Sequence, residues 1–119
     1  MQRRIRRLKE SGLIEREIAQ LNAEAMGQDV TFIVMVELHR ESLDQLETFQ
    51  RRVVKDPHVQ QCYYVTGEAD FVLICITPDM KAFEALTHRL FFENSNVRKF
   101  HTSVVMKRAK VGLSIPIWP

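Results

Sequence analysis

Two stretches of this 119-residue sequence hold side chains suited to chemistry, and both suit binding better than bond-making. The first is centred on Gly67 and Asp70. Glycine takes positive φ without steric cost, which leaves its N–H free for a ligand. Aspartate at such a place either fixes the turn through nearby backbone or accepts the ammonium of an amino acid. Both uses of Asp70 are open from the sequence. The second stretch is the run Arg3, Arg4, Arg6 and Arg7. Arginines spaced in this way contact phosphates or base edges, or form a solvated basic face.

Little else in the sequence offers reactivity. The four histidines, His39, His58, His88 and His101, show neither i,i+4 pairing nor a metalloprotease pattern, so no metal site is expected. There is no nucleophile elbow, no glycine-rich phosphate loop and no Cys-His constellation, so no enzyme activity and no cofactor are expected. Glu68 and Asp70 are close in sequence, but paired carboxylates in a hairpin need a pocket before they can do acid–base work. Cys62 and Cys75 lie in apolar runs outside any C-x-x-C pair and read as reduced, buried thiols.

The elements that must position these residues follow from hydrophobic periodicity. Residues 2–10 read as the end of a helix with Ile5 and Leu8 on one side, stopped at Ser11-Gly12. Leu13 to Leu21 alternates loosely and predicts a strand, and Asn22 to Gly27 a turn or linker. Val30 to Leu38 predicts a strand apolar on both faces. Ser42 with Gln45 three residues on is a capping-box signature, and Leu43, Leu46, Phe49 and Val53 form the buried stripe of the helix it opens. Asp56-Pro57 ends that helix. Val59 to Thr66 and Ala69 to Thr77 predict a hairpin tight around Gly67-Glu68. Pro78-Asp79 opens a second helix with Phe83, Leu86 and Leu90 inward, and Val97 to Lys107 predicts the last strand. Gly112 to Trp118 is a short apolar tail.

The order strand–helix–strand–strand–helix–strand is the α+β, ferredoxin-like βαββαβ plait, with two helices on one face of a four-stranded antiparallel sheet. The other face stays apolar through Ile33, Met35, Val72, Ile74 and Ile76 or their alternating partners. An uncovered apolar sheet face marks an interface, so face-to-face dimerisation is expected. Composition agrees with a folded domain: 45% hydrophobic and 27% charged, with a net charge of +2. Five of the 17 basic residues fall in the first ten positions against one of the 15 acids, so the basic character sits at that end. No segment is long and apolar enough for a membrane span or a signal core, and a cytoplasmic protein is expected.

Four fragments in register carry a resemblance. The run Gln2-Arg3-Arg4-Ile5-Arg6-Arg7-Leu8-Lys9-Glu10-Ser11-Gly12-Leu13-Ile14 resembles the end of the recognition helix and the start of the wing in Lrp/AsnC (feast/famine) transcriptional regulators. Val65 to Leu73 is similar to that family's Gly-x-x-Asp-aromatic hairpin. Pro78-Asp79-Met80 and Thr102 to Lys107 match its second helix start and last strand. The resemblance implies residues 1–27 as a remnant of the helix-turn-helix and residues 28–119 as the RAM-type effector-binding and oligomerisation domain. It implies a small effector, typically an amino acid, held by Thr66, Gly67, Glu68, Ala69 and Asp70, with Thr102 and Ser103 as hydroxyl donors. It also implies DNA contacts from Gln2, Arg3, Arg4, Arg6 and Arg7, and dimers assembled into tetramers or octamers. The two helices that precede a recognition helix in the family are not in this sequence, so DNA binding is expected of an intact regulator rather than of this stretch alone. The alternative assignment is a stand-alone dimeric plait acting as a small enzyme or ligand-binding subunit.

Overall fold

The computed structural model describes residues 2–94 and 96–117. Helix α1 (Gln2–Glu10) is followed by an extended arm and a turn, then by β1 (Val30–Leu38), α2 (Leu43–Val54), β2 (Val59–Tyr64), β3 (Phe71–Thr77), α3 (Met80–Thr87) and β4 (Val97–Val104). A π-helical turn over His88–Phe92 prolongs α3. The four strands form one antiparallel sheet in the order β2-β3-β1-β4. This is the ferredoxin-like plait that the pattern predicts.

Alternation decides which residues meet the helices. Phe32, Val34, Val36 and Leu38 of β1 are buried, as are Phe71, Leu73 and Cys75 of β3. Against them pack Phe49 and Val53 from α2 and Phe83, Leu86, Leu90 and Phe91 from α3 and its π-turn. Phe32 and Phe83 stack with ring centroids 3.8 Å apart, and Phe49 tilts against Phe71 at 5.0 Å. The opposite sheet face stays apolar and open: Ile33 and Met35 are 38% and 40% exposed, with Val72 and Ile74 half-buried beside them. Ile76 on the same face is buried at its edge.

The helix ends follow local chemistry. Gly12, at φ 84°, closes α1 in a Schellman arrangement, with Leu13 N–H donating to Leu8 O and Gly12 N–H to Lys9 O. The Asp79 carboxylate caps α3 by accepting from Ala82 N–H at 2.8 Å. The Ser42 hydroxyl forms no such cap on α2, so the expected capping box is not made, although the helix does start there. Leu43 is 70% exposed, and the buried stripe of α2 begins only at Leu46.

Strand lengths are also corrected. Residues 13–21, expected as a strand, are a bend at Leu13-Ile14 followed by irregular backbone with no ladder partner among the described residues, since a strand requires a neighbour as well as an alternating pattern. The turn between β2 and β3 takes in Val65–Asp70, six residues in place of a tight two-residue connection, and β4 ends at Val104 instead of Lys107.

Asp56, just past α2, and Arg89, in the π-turn after α3, tie the two helices together. The guanidinium grips the carboxylate twice, Nε to Oδ2 at 2.6 Å and Nη2 to Oδ1 at 3.2 Å. His58 N–H adds a third hydrogen bond to Oδ1 at 3.0 Å, and the His58 ring contacts Ile76 O. Burial alone pushes the Asp56 carboxyl up. The Arg89 and His58 hydrogen bonds and the positive charge outweigh it, so the group sits below its usual value of 3.8. No helix among the described residues is long and apolar enough to cross a membrane.

Candidate functional site

The loop from Val65 to Asp70 is held at both ends. Val65 N–H donates to Asp70 O at 2.9 Å, which closes the loop, and Asp70 N–H donates to Val36 O of β1 at 2.9 Å. The Asp70 carboxylate accepts from Leu38 N–H at 2.8 Å through Oδ2. Ala69 is buried beneath this tie, whereas Thr66, Gly67 and Glu68 stand in solvent. Asp70 therefore does the structural work that one reading assigned it: it fastens the loop to the end of β1. Its Oδ1 remains available as an acceptor.

Gly67 has φ 121°, a conformation that side chains with a Cβ rarely adopt. The backbone N–H groups of Thr66, Gly67 and Glu68 donate to no group among the described residues. A rigid base carrying a glycine tip with free donors can receive a carboxylate, and the spare oxygen of Asp70 can receive an ammonium.

Thr102 and Ser103 are placed apart from this loop. They pair with Val34 and Ile33 of β1, so their side chains lie on opposite faces of the sheet, and both are exposed. Thr102 lies across β1 from Asp70, about 10 Å along the strand and two strand spacings, about 10 Å, across it. Within one chain, the loop and these hydroxyls are therefore not brought together.

Arg3, Arg4, Arg6 and Arg7 are exposed on α1, with Ile5 and Leu8 half-buried on its other side. None of the four pairs with an acid among the described residues, while Lys9 bonds Glu17 at 2.9 Å. Nothing is described of the Gln2 side chain, which lies outside the described residues. Sequence reasoning passed over a cleft of about 360 Å³ lined by His39, Arg40, Gln45 and Asn96, at the same end of the sheet as the loop. Asn96 clamps the Arg40 backbone from both sides, through Oδ1 at 2.9 Å and Nδ2 at 3.1 Å. A β-strand end followed by His-Arg before a helix was a signal in the sequence, but its partner Asn96 is 56 residues away. A second cleft of similar volume at the other end is lined by Glu24, Asp29, Thr31 and residues 105–108. Neither cleft is lined by Thr66–Asp70.

No group of three or more metal-ligating side chains occurs among the described residues. Both cysteines are free; burial pushes the Cys62 thiol up, and burial with nearby negative charge pushes Cys75 to about 12.

Residues 31–115 match the family model of the Lrp/AsnC ligand binding domain. An HTH-type transcriptional regulator of Sinorhizobium fredii is 42% identical over 116 residues, covering 98% of this chain and 69% of that protein. A leucine-responsive regulatory protein of Rhizobium meliloti is 31% identical, covering 97% of this chain and 74% of its own length. Among solved structures, an AsnC family regulator from Agrobacterium tumefaciens superposes with a TM-score of 0.89 at 27% identity, over 97% of this chain and 74% of that one. A transcriptional regulator from Neisseria meningitidis, solved as its L-methionine complex, superposes with a TM-score of 0.88 at 29% identity, with the same coverage.

Proposed function

The chain belongs to the Lrp/AsnC family of transcriptional regulators, and on that premise we propose that it senses an amino acid at the Thr66–Asp70 loop and transmits the signal through assembly of copies of itself. The observation that carries this reading is the Gly67 tip, with φ 121° and free backbone donors, on a base fixed by Asp70 to β1. The L-methionine complex of the Neisseria meningitidis regulator supports the ligand class. In this reading residues 28–119 are the effector-binding and oligomerising unit, and residues 1–27 the end of a DNA-binding domain whose exposed arginines contact DNA in an intact regulator. Thr102 and Ser103 contribute to the site from a neighbouring copy.

Assembly is supported by the open sheet face. Ile33, Met35, Val72 and Ile74 form a contiguous apolar surface with no cover in a single chain. A second sheet laid on it removes that surface from water. A ligand that binds one arrangement of copies better than another then shifts the balance between them, and that shift is the signal.

The test is light scattering on a sizing column, with each of the twenty amino acids in turn. A multiple of the dimer whose size or melting temperature responds to one or a few of them is the expected result. A monomer, or a dimer indifferent to all twenty, would overturn the reading.

A conservative pair of variants separates the two roles of Asp70. Asp70→Asn keeps an oxygen for Leu38 N–H but loses the charge, whereas Asp70→Ala leaves that N–H unpaired. Asp70→Ala is expected to cost about 1–2 kcal/mol of stability, with Asp70→Asn nearer to wild type. Both are expected to weaken amino-acid binding. Wild-type affinity in Asp70→Asn would show that the carboxylate serves the loop alone.

A further inference from the structure

The cleft where β1 runs into α2 is built from groups that the amino-acid site leaves unused. It has a volume of about 360 Å³ and is lined by His39, Arg40, Gln45 and Asn96. That volume falls within the range of small-molecule sites, about 300–1,000 Å³. Its frame is rigid. Asn96 O accepts from His39 N–H at 2.8 Å, Asn96 Oδ1 accepts from Arg40 N–H at 2.9 Å, and Asn96 Nδ2 donates to Arg40 O at 3.1 Å. Asn96 N–H in turn donates to Asn94 Oδ1 at 3.0 Å. The backbone that carries the His39 and Arg40 side chains is thus fixed before any ligand arrives, which lowers the ordering cost of binding.

The lining is rich in donors and holds no anion. Among the described residues the Arg40 guanidinium makes no ion pair, and the His39 ring and the partly buried Gln45 amide make no hydrogen bond. Ser42 does not cap α2, so the positive end of that helix lies at the same corner, beside Gln45 of its first turn. No carboxylate lines the cleft. Glu37 of β1 is held by Lys99 at 3.3 Å, and Glu41 and Asp44, next along the chain, are not among the lining residues. An α-amino acid would find nothing here to receive its ammonium. A carboxylate or a phosphate, by contrast, matches the planar fork of an arginine with two parallel hydrogen bonds. We propose that this cleft is a second ligand site, separate from the Thr66–Asp70 loop, which holds the carboxylate or phosphate of a small anion on the Arg40 fork, with His39 and Gln45 donating alongside.

The test is titration calorimetry of the full chain with inorganic phosphate and, separately, with succinate, at constant ionic strength. Wild type is compared with Arg40→Gln, with Arg40→Lys, and with Arg51→Gln, an exposed arginine of α2 that does not line the cleft. Circular dichroism checks that each variant is folded. The expected result is millimolar or tighter binding of at least one anion, weakened about tenfold in Arg40→Gln. Arg40→Lys, which keeps the charge and loses the fork, falls between the two, and Arg51→Gln binds as wild type. Binding of phosphate alone supports the site and makes its ligand phosphorylated, and binding of succinate alone supports it and makes the ligand a carboxylate. Failure of both anions to bind wild type overturns the proposal. So does wild-type affinity in Arg40→Gln, which puts the anion elsewhere, or an equal loss in Arg51→Gln, which makes the effect one of net charge.

Discussion

Replacing Gly67 by valine is expected to reduce amino-acid affinity roughly 10- to 100-fold while leaving a folded dimer. At φ 121° a β-branched residue costs about 1–3 kcal/mol, and an added Cβ meets nothing within 4 Å, so the penalty is conformational and not steric. The tip is exposed and its neighbours can move, so the loop re-forms with φ below zero instead of unfolding the domain. That movement changes where the free N–H groups of Thr66, Gly67 and Glu68 point. The loss of two such hydrogen bonds, each worth about 0.5–1.5 kcal/mol net, gives the stated range. Titration calorimetry with the amino acid found in the panel, beside light scattering, reads both halves. Wild-type affinity in Gly67→Val would place the site elsewhere, with the cleft at His39 and Arg40 the next place to look.

Removing the partner of the buried Asp56 is the second large effect. Arg89→Ala is expected to cost about 2 kcal/mol at pH 7. A fully buried pair broken in this way costs about 3–5 kcal/mol, and the figure is reduced here because the Arg89 side chain is 40% exposed while Asp56 is only 6% exposed. The pH dependence has a definite sign. The folded-state value of Asp56 lies below its ordinary 3.8, so its contribution is complete above that value and is lost as pH falls through the folded one. Urea unfolding of wild type and Arg89→Ala should therefore differ most at neutral pH and converge as the pH falls below the ordinary carboxylate value of 3.8 and through the lower folded one. A difference that does not change with pH would mean that Arg89 acts by packing its stem and not by its charge.

Much of the fold was legible because the signals were local. The alternation of Val30 to Leu38, the Asp56-Pro57 stop and the Asp79 cap each act within a few residues, and each appears where its chemistry placed it. The doubly apolar strand β1 also told correctly of an uncovered sheet face. Where the reading failed, the missing information was non-local. The capping box at Ser42 needs a rotamer that the sequence does not fix, and the exposure of Leu43 depends on how α2 as a whole is laid on the sheet. Residues 13–21 have the pattern of a strand but no ladder partner among the described residues, so pattern alone could not make them one.

The candidate site divides in the same way. By itself the sequence determined the plait, the two helices that cover it, the glycine-bearing loop and the basic face of α1, because periodicity and turn chemistry act between near neighbours in the chain. Only the tertiary structure decided that Asp70 is tied to Leu38, that Thr102 and Ser103 face opposite ways on the far side of β1, and that Arg89 closes on Asp56 33 residues away. Those are matters of register and of which strand lies beside which, settled when distant segments pack together and their backbone donors find acceptors.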